Sequence, residues 1–119
     1  SEGPSIRAAT ENSRYNPGRT KFLSRRITAE ALEEVLDNAP TPQAVILDPP
    51  RQGPDAGVIS TLAERGPRRV LHIFCGVDQI PASLKEWQEN GYVVRRVVPL
   101  DMFPGSINLE VLVLLTPAD

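Results

Sequence analysis

An α/β domain built on one central sheet is what this sequence predicts, and three observations carry it. Segments with helical spacing alternate with short apolar runs along the whole chain. The runs Ala44–Leu47 and Val70–Cys75 are each followed by a helical pattern, whereas the last two, Tyr92–Val98 and Leu109–Leu115, have no helix between them. Strands separated by helices cross over and pair in parallel, while strands joined by a loop alone pair antiparallel. The expected sheet is therefore mostly parallel, with an antiparallel hairpin at one edge.

Each element follows from local chemistry. Ser5 to Asn16 fits a helix stopped by Asn16-Pro17-Gly18, and Lys21 to Ile27 fits a short extended stretch. Thr28 is a suitable N-cap for a helix on which Leu32, Val35, Leu36 and Ala39 recur at helical spacing, with Glu30 in its first turn and Pro40 and Pro42 ending it. The strand Ala44–Asp48 must stop at Pro49-Pro50, because proline lacks the ladder donor and holds its neighbour extended. A helix from about Asp55 to Arg65 would turn Val58, Ile59 and Leu62 inward and end at Gly66-Pro67. Val70 to Cys75 is a continuous apolar run suited to a central strand. Ile80, Leu84 and Trp87 then share a helical face, with Gly91 placed to cap that helix, and Pro99 to Asn108 is a loop between the last two strands.

The 119 residues, 40% hydrophobic and 24% charged, suffice for one small domain. The formal charge of −2 does not mark a nucleic-acid binder, and the arginine clusters at Arg25-Arg26, Arg68-Arg69 and Arg95-Arg96 permit phosphate contact without requiring it. One cysteine excludes an internal disulfide framework, and one cysteine with one histidine cannot hold zinc through protein ligands alone, so no metal site is expected and a cytoplasmic protein is the simplest inference. No apolar stretch has the length to span a bilayer.

Three side chains are candidates for chemistry. Asp48 sits at the carboxyl end of a strand, the edge where open α/β sheets bind ligands, although a strand stop alone would account for it. Cys75 ends the central strand and precedes Gly76, which places a thiol at the same edge; a buried small hydrophobe is the plain alternative. Glu110 opens an otherwise apolar strand, either as an exposed first residue or as a partly desolvated carboxylate with the pKa of a general base. His72 is three residues from Cys75 on one strand, which puts the two on opposite faces and argues against a Cys-His dyad.

Taken together, Asp48-Pro49-Pro50-Arg51-x-Gly53, the strand-terminal Cys75, and Asp101-Met102-Phe103-Pro104 with Glu110 six residues after the proline resemble the RNA uracil-5-methyltransferase family. Asn12-Ser13-Arg14-Tyr15-Asn16 is similar to that family's Asn-Ala-x-x-Asn helix. The resemblance implies a Rossmann-like sheet, S-adenosylmethionine as cofactor, and transfer or ribosomal RNA as substrate. It assigns Cys75 as the nucleophile adding to C6 of a flipped uracil, Glu110 as acceptor of the C5 proton, Asp48 as a cofactor contact, and Arg51 and Phe103 as substrate contacts.

The chain departs from that pattern in places. Phe74-Cys75-Gly76-Val77 stands where Ser-Cys-Asn-Pro is usual, and Gly105 and Asn108 replace two common histidines. Ser24-Arg25-Arg26 replaces a Gly-Asp pair. Neither the Gly-rich turn that cradles the cofactor nor an RNA-binding domain is found within residues 1–119, so the chain is expected to be the C-terminal part of a methyltransferase domain. Such a part would leave sheet edges open, and self-association through Ala44–Asp48 or coverage of that strand by the N-terminal segment is expected. A non-catalytic RNA-binding or scaffold module on the same fold is the rival expectation.

Overall fold

The protein is described from a computed structural model that covers residues 3–15, 26–37, 42–101 and 109–119. Eight elements occur among these residues: α1 (Pro4–Ser13), α2 (Ala29–Asp37), β1 (Ala44–Leu47), α3 (Val58–Glu64), β2 (Arg69–Cys75), α4 (Ile80–Glu89), β3 (Tyr92–Leu100) and β4 (Glu110–Pro117). The expected extended stretch at Lys21–Ile27 falls almost wholly outside the described residues, as does the Met102–Asn108 loop.

The sheet has the order β1-β2-β4-β3. β1 and β2 are parallel, and β4 runs antiparallel to both β2 and β3. Three strands thus share one direction and only β4 is reversed, which is the mostly parallel sheet with an antiparallel hairpin that the sequence predicts. Within the hairpin β4 is the inner strand and β3 the edge. That arrangement explains why β3 runs on through Pro99 to Leu100, beyond the expected end at Val98: an edge strand can give up a ladder donor on its outer side. A bulge lies between Val94 and Arg96, and Arg95 Nε donates to Thr116 Oγ1 on β4 at 2.7 Å.

The helices also differ from expectation at their ends. α3 begins at Val58 rather than near Asp55, because Gly57 takes a left-handed φ of 84° and the chain turns into the helix only after it. α1 ends at Ser13, where the Ser13 hydroxyl donates to the Thr10 carbonyl. Thr28 does cap α2, its Oγ1 accepting the Ala31 N–H at 3.1 Å. Gly91 adopts φ 88° just after the Asn90 C-cap of α4, as its position predicts.

The core lies on one face of the sheet. Val70, His72 and Phe74 of β2 and Val111, Val113 and Leu115 of β4 are buried, with Val58, Ile59 and Leu62 of α3 and Trp87 of α4 buried in the same core. Trp87 anchors it: the indole is fully buried, meets Tyr92 edge-on with ring centroids 5.1 Å apart, and donates through Nε1 to His72 Nδ1 at 3.1 Å. Tyr92 Oη in turn donates to the Pro67 carbonyl at 2.7 Å, so a polar tip is satisfied inside the core. The period-2 pattern of β2 therefore sends His72 inward and its odd-numbered neighbours, ending in Cys75, to the other face.

Candidate active site

The site is assembled by strand direction. Because β1 and β2 are parallel, Asp48, just beyond β1, and Cys75, the last residue of β2, come to the same edge of the sheet. Because β4 is reversed, its first residue, Glu110, starts at that edge as well. The register pairs Cys75 directly with Glu110, and directly opposed residues of an antiparallel ladder project from the same face. The pairing sets the Glu110 carboxylate beside the thiol, near enough for its charge to act on the sulfur.

Cys75 is exposed, which overturns the plain reading of a buried small hydrophobe. Its pKa is raised, first by partial desolvation, then by the charge of Glu110 and by that of Asp48. Arg51 acts in the opposite sense. Two carboxylates thus hold the resting sulfur as a thiol, and one guanidinium favours the thiolate.

Arg51 owes its place to the turn that follows the two prolines. The Gly53 N–H donates to the Pro50 carbonyl at 2.8 Å, closing a tight turn with Arg51 and Gln52 at its tip. The guanidinium of Arg51 lies over Gly76, where a β-carbon would be 3.8 Å from Nε and 3.9 Å from Nη2. Gln79 reaches back the other way, its Oε1 lying 3.1 Å from where a β-carbon of Gly53 would stand. The two loops pack so closely that the cleft between Pro49-Pro50-Arg51 and Cys75-Gly76 holds only about 10 Å³. A reacting base must therefore approach the sulfur from the solvent side.

Asp48, Arg51, Cys75 and Glu110 are thus brought together, and His72 is kept apart on the core face. The fifth sequence candidate, Phe103, lies outside the described residues. Sequence reasoning named Gly53 as part of the motif after Asp48 but passed over Gln79, whose contact with that glycine joins two loops far apart in the chain.

Beside Asp48 a groove of about 520 Å³ runs along the edge of β1 that is unpaired among the described residues, lined mainly by apolar side chains including Val45, Leu47, Leu32 and Val58, with Asp48, Asp55 and Arg26 supplying charge. Arg26 Nε is ion-paired to Asp55 at 3.0 Å, which leaves Asp48 as the acidic group at the end of β1. A carboxylate next to an apolar wall and two prolines suits a ligand with a donor or cationic end and a flat apolar part. No group of three His, Cys, Asp or Glu able to hold a metal occurs among the described residues, and among them no helix is long and apolar enough to cross a membrane.

Comparison with known proteins agrees with this architecture. No family model matches the chain. Over 87 residues it is 34% identical to an uncharacterized RNA methyltransferase of Corynebacterium diphtheriae, a match covering 73% of this chain and 21% of that protein. An uncharacterized RNA methyltransferase of Geobacter sulfurreducens is 33% identical over 110 residues, covering 92% of this chain and 22% of the relative. One from Enterococcus faecalis is 28% identical over 113 residues, covering 95% and 25%. The chain thus spans between a fifth and a quarter of the length of these relatives. Among solved structures, the Pyrococcus abyssi tRNA (uracil-54, C5)-methyltransferase in complex with S-adenosyl-L-homocysteine superposes with a TM-score of 0.72 at 24% identity, covering 94% of this chain and 26% of that one. A precorrin-6y C5,15-methyltransferase of Geobacter metallireducens superposes with a TM-score of 0.66 at 14% identity, covering 99% and 64%. The methyltransferase likeness read from the sequence is thus matched in sequence by RNA methyltransferases and in fold by methyltransferase structures.

Proposed function

We propose that this chain is the C-terminal part of the catalytic domain of an S-adenosylmethionine-dependent RNA methyltransferase that modifies C5 of a uridine in transfer or ribosomal RNA. The observation that carries the reading is the cross-strand pairing of Cys75 with Glu110, flanked by Asp48 and Arg51 at one sheet edge. The likeness to the uracil-54 enzyme supports the choice of base, and the S-adenosyl-L-homocysteine in that complex, which is what S-adenosylmethionine becomes on losing its methyl group, supports the choice of methyl donor.

The residues divide the work. Uracil C5 is a poor nucleophile until a group adds at C6, and a thiolate is both reactive enough to add and stable enough to leave. Cys75, which is exposed, must first lose its proton to solvent, and Arg51 favours that loss. Addition of sulfur at C6 pushes electron density to C5, which forms the new carbon–carbon bond. S-adenosylmethionine, when bound, would supply the electrophilic methyl group, its sulfonium–methyl bond breaking to leave S-adenosylhomocysteine. Glu110 then takes the C5 proton, the C5–C6 double bond re-forms, and the sulfur–C6 bond breaks to return the thiolate. Asp48, which lines the groove along β1, would hold the cofactor, Arg51 and Phe103 would contact the RNA, and the base would leave its stack to reach the sulfur.

The described residues offer the cofactor one wall of the groove and a carboxylate, so the proposed activity is that of the parent protein and not of the isolated chain. The outer edge of β1 is unpaired among the described residues and Ile46 there is 70% exposed, which supports self-association of the isolated chain through that edge. The composition and single cysteine support a cytoplasmic location.

The test supplies the parent protein with S-adenosylmethionine and RNA containing 5-fluorouracil and asks by mass spectrometry for a covalent adduct on Cys75. Fluorine at C5 cannot leave as a proton, so a working enzyme traps itself, and Cys75→Ala abolishes the adduct. On ordinary RNA, Glu110→Gln should accumulate the adduct, because addition proceeds and proton removal does not. The raised pKa of Cys75 favours a second reading, a non-catalytic RNA-binding module with an inert thiol. RNA binding without any adduct would decide for it.

A further inference from the structure

The two loops at the site hold one another through reciprocal contacts. From the loop after β2, the end of the Gln79 side chain packs against Gly53, with Oε1, Cδ and Cγ at 3.1, 3.4 and 3.5 Å from the position of a β-carbon there. From the loop after β1, Arg51 lies on Gly76. Both glycines have positive φ, 93° at Gly53 and 123° at Gly76, so neither is readily replaced by a residue with a side chain. Gly53 is buried although Arg51 and Gln52 beside it are exposed. The turn is therefore clamped at its base while its tip stays in solvent. An exposed arginine carries several rotatable bonds and about 2 kcal/mol of rotamer entropy, so nothing intrinsic to Arg51 would keep it over Cys75-Gly76.

We infer that Gln79 is a positioning residue: by packing on Gly53 it fixes the Pro50–Gly53 turn, and through that turn it sets the distance between the Arg51 guanidinium and the Cys75 sulfur. The inference deepens the reading of Cys75 as a nucleophile and rests on it for its use in catalysis. Its test reads the thiol directly in the 119-residue chain, without RNA or cofactor, so the two readings fail separately.

Cys75 is the only cysteine, so alkylation by iodoacetamide reports on it alone. Arg51→Gln removes the one charge that favours the thiolate and should slow alkylation at pH 7.5 by about threefold, a size typical of a solvent-screened charge contact. Gln79→Ser should slow it to a similar extent and move its pH profile upward. Gln79 makes no side-chain cap hydrogen bond to α4, so this variant truncates the contact without removing a cap; circular dichroism and the midpoint of thermal unfolding check that the fold is kept. Gln79→Met, which retains a chain of similar length to pack on Gly53, should restore the wild-type profile. In the Arg51→Gln background, Gln79→Ser should add nothing, because the group being positioned is gone. The proposal is overturned by a wild-type profile in Gln79→Ser, by failure of Gln79→Met to rescue, by a further loss in the double variant, or by an Arg51→Gln profile that does not move.

Discussion

Lowering the pH from 7 to 5 should remove about 2 kcal/mol of the stability of this chain through one buried side chain. His72 is fully buried, stacks on Phe74 with ring centroids 3.9 Å apart, and accepts the Trp87 Nε1–H at Nδ1. The ring proton therefore sits on Nε2, which is buried and has no hydrogen-bond partner. Burial pushes the pKa of the imidazole down from its ordinary 6.5 to about 4. Protonation would also turn Nδ1 into a donor facing the Trp87 donor. The group is neutral in the folded chain and charges readily in the unfolded one, so its contribution is full above pH 6.5 and is lost as the pH falls toward 4. The gap of about 2.5 between the two values, at about 1.36 kcal/mol for each, amounts to about 3 kcal/mol in all, of which about 2 falls between pH 7 and pH 5. In a domain of ordinary stability that is a large fraction of the total. Urea titrations at pH 7, 6 and 5, followed by fluorescence of the single tryptophan, should show the midpoint falling by about 1–2 M over the range. His72→Gln retains an acceptor for Trp87 but does not titrate, and its midpoint should change little with pH. A wild-type midpoint that does not move, or a His72→Gln midpoint that moves as much, would refute the reasoning.

Other outcomes can be checked on the same chain. Glu110→Gln removes the closest negative charge from the sulfur, so the thiolate becomes more accessible and iodoacetamide alkylation at pH 7.5 should rise by about a factor of three to ten; an unchanged rate would mean the pair is not in contact. Ile46→Lys places a charge on the open edge of β1 and should shift the isolated chain to monomer in light scattering, whereas a chain already monomeric at 100 μM would end the self-association proposal. Tyr92→Phe leaves the buried Pro67 carbonyl without its donor and should cost about 1–2 kcal/mol by urea titration.

The sequence by itself determined the elements and the direction of most strands. Apolar period, prolines and glycines are local signals, and they placed β1 before Pro49-Pro50, β2 up to Cys75, and the caps at Thr28 and Gly91. The same period sent His72 and Cys75 to opposite faces, which removed one false catalytic pair. Where the reading missed, as at the start of α3, a single left-handed glycine decided the boundary, and whether a glycine takes positive φ is set by its surroundings.

Tertiary structure decided which of the candidate residues meet. Cys75 faces Glu110 only because β4 inserts between β2 and β3 with a register that no local pattern encodes. The exposure of Cys75, the protonated state of its sulfur and the balance between Glu110, Asp48 and Arg51 all follow from that register. The contacts of Gln79 on Gly53 and of Arg51 on Gly76 link loops that are distant in the chain and close only because β1 and β2 run in parallel. Sequence spacing fixes where a side chain leaves its own strand, whereas pairing across strands fixes what it leaves toward.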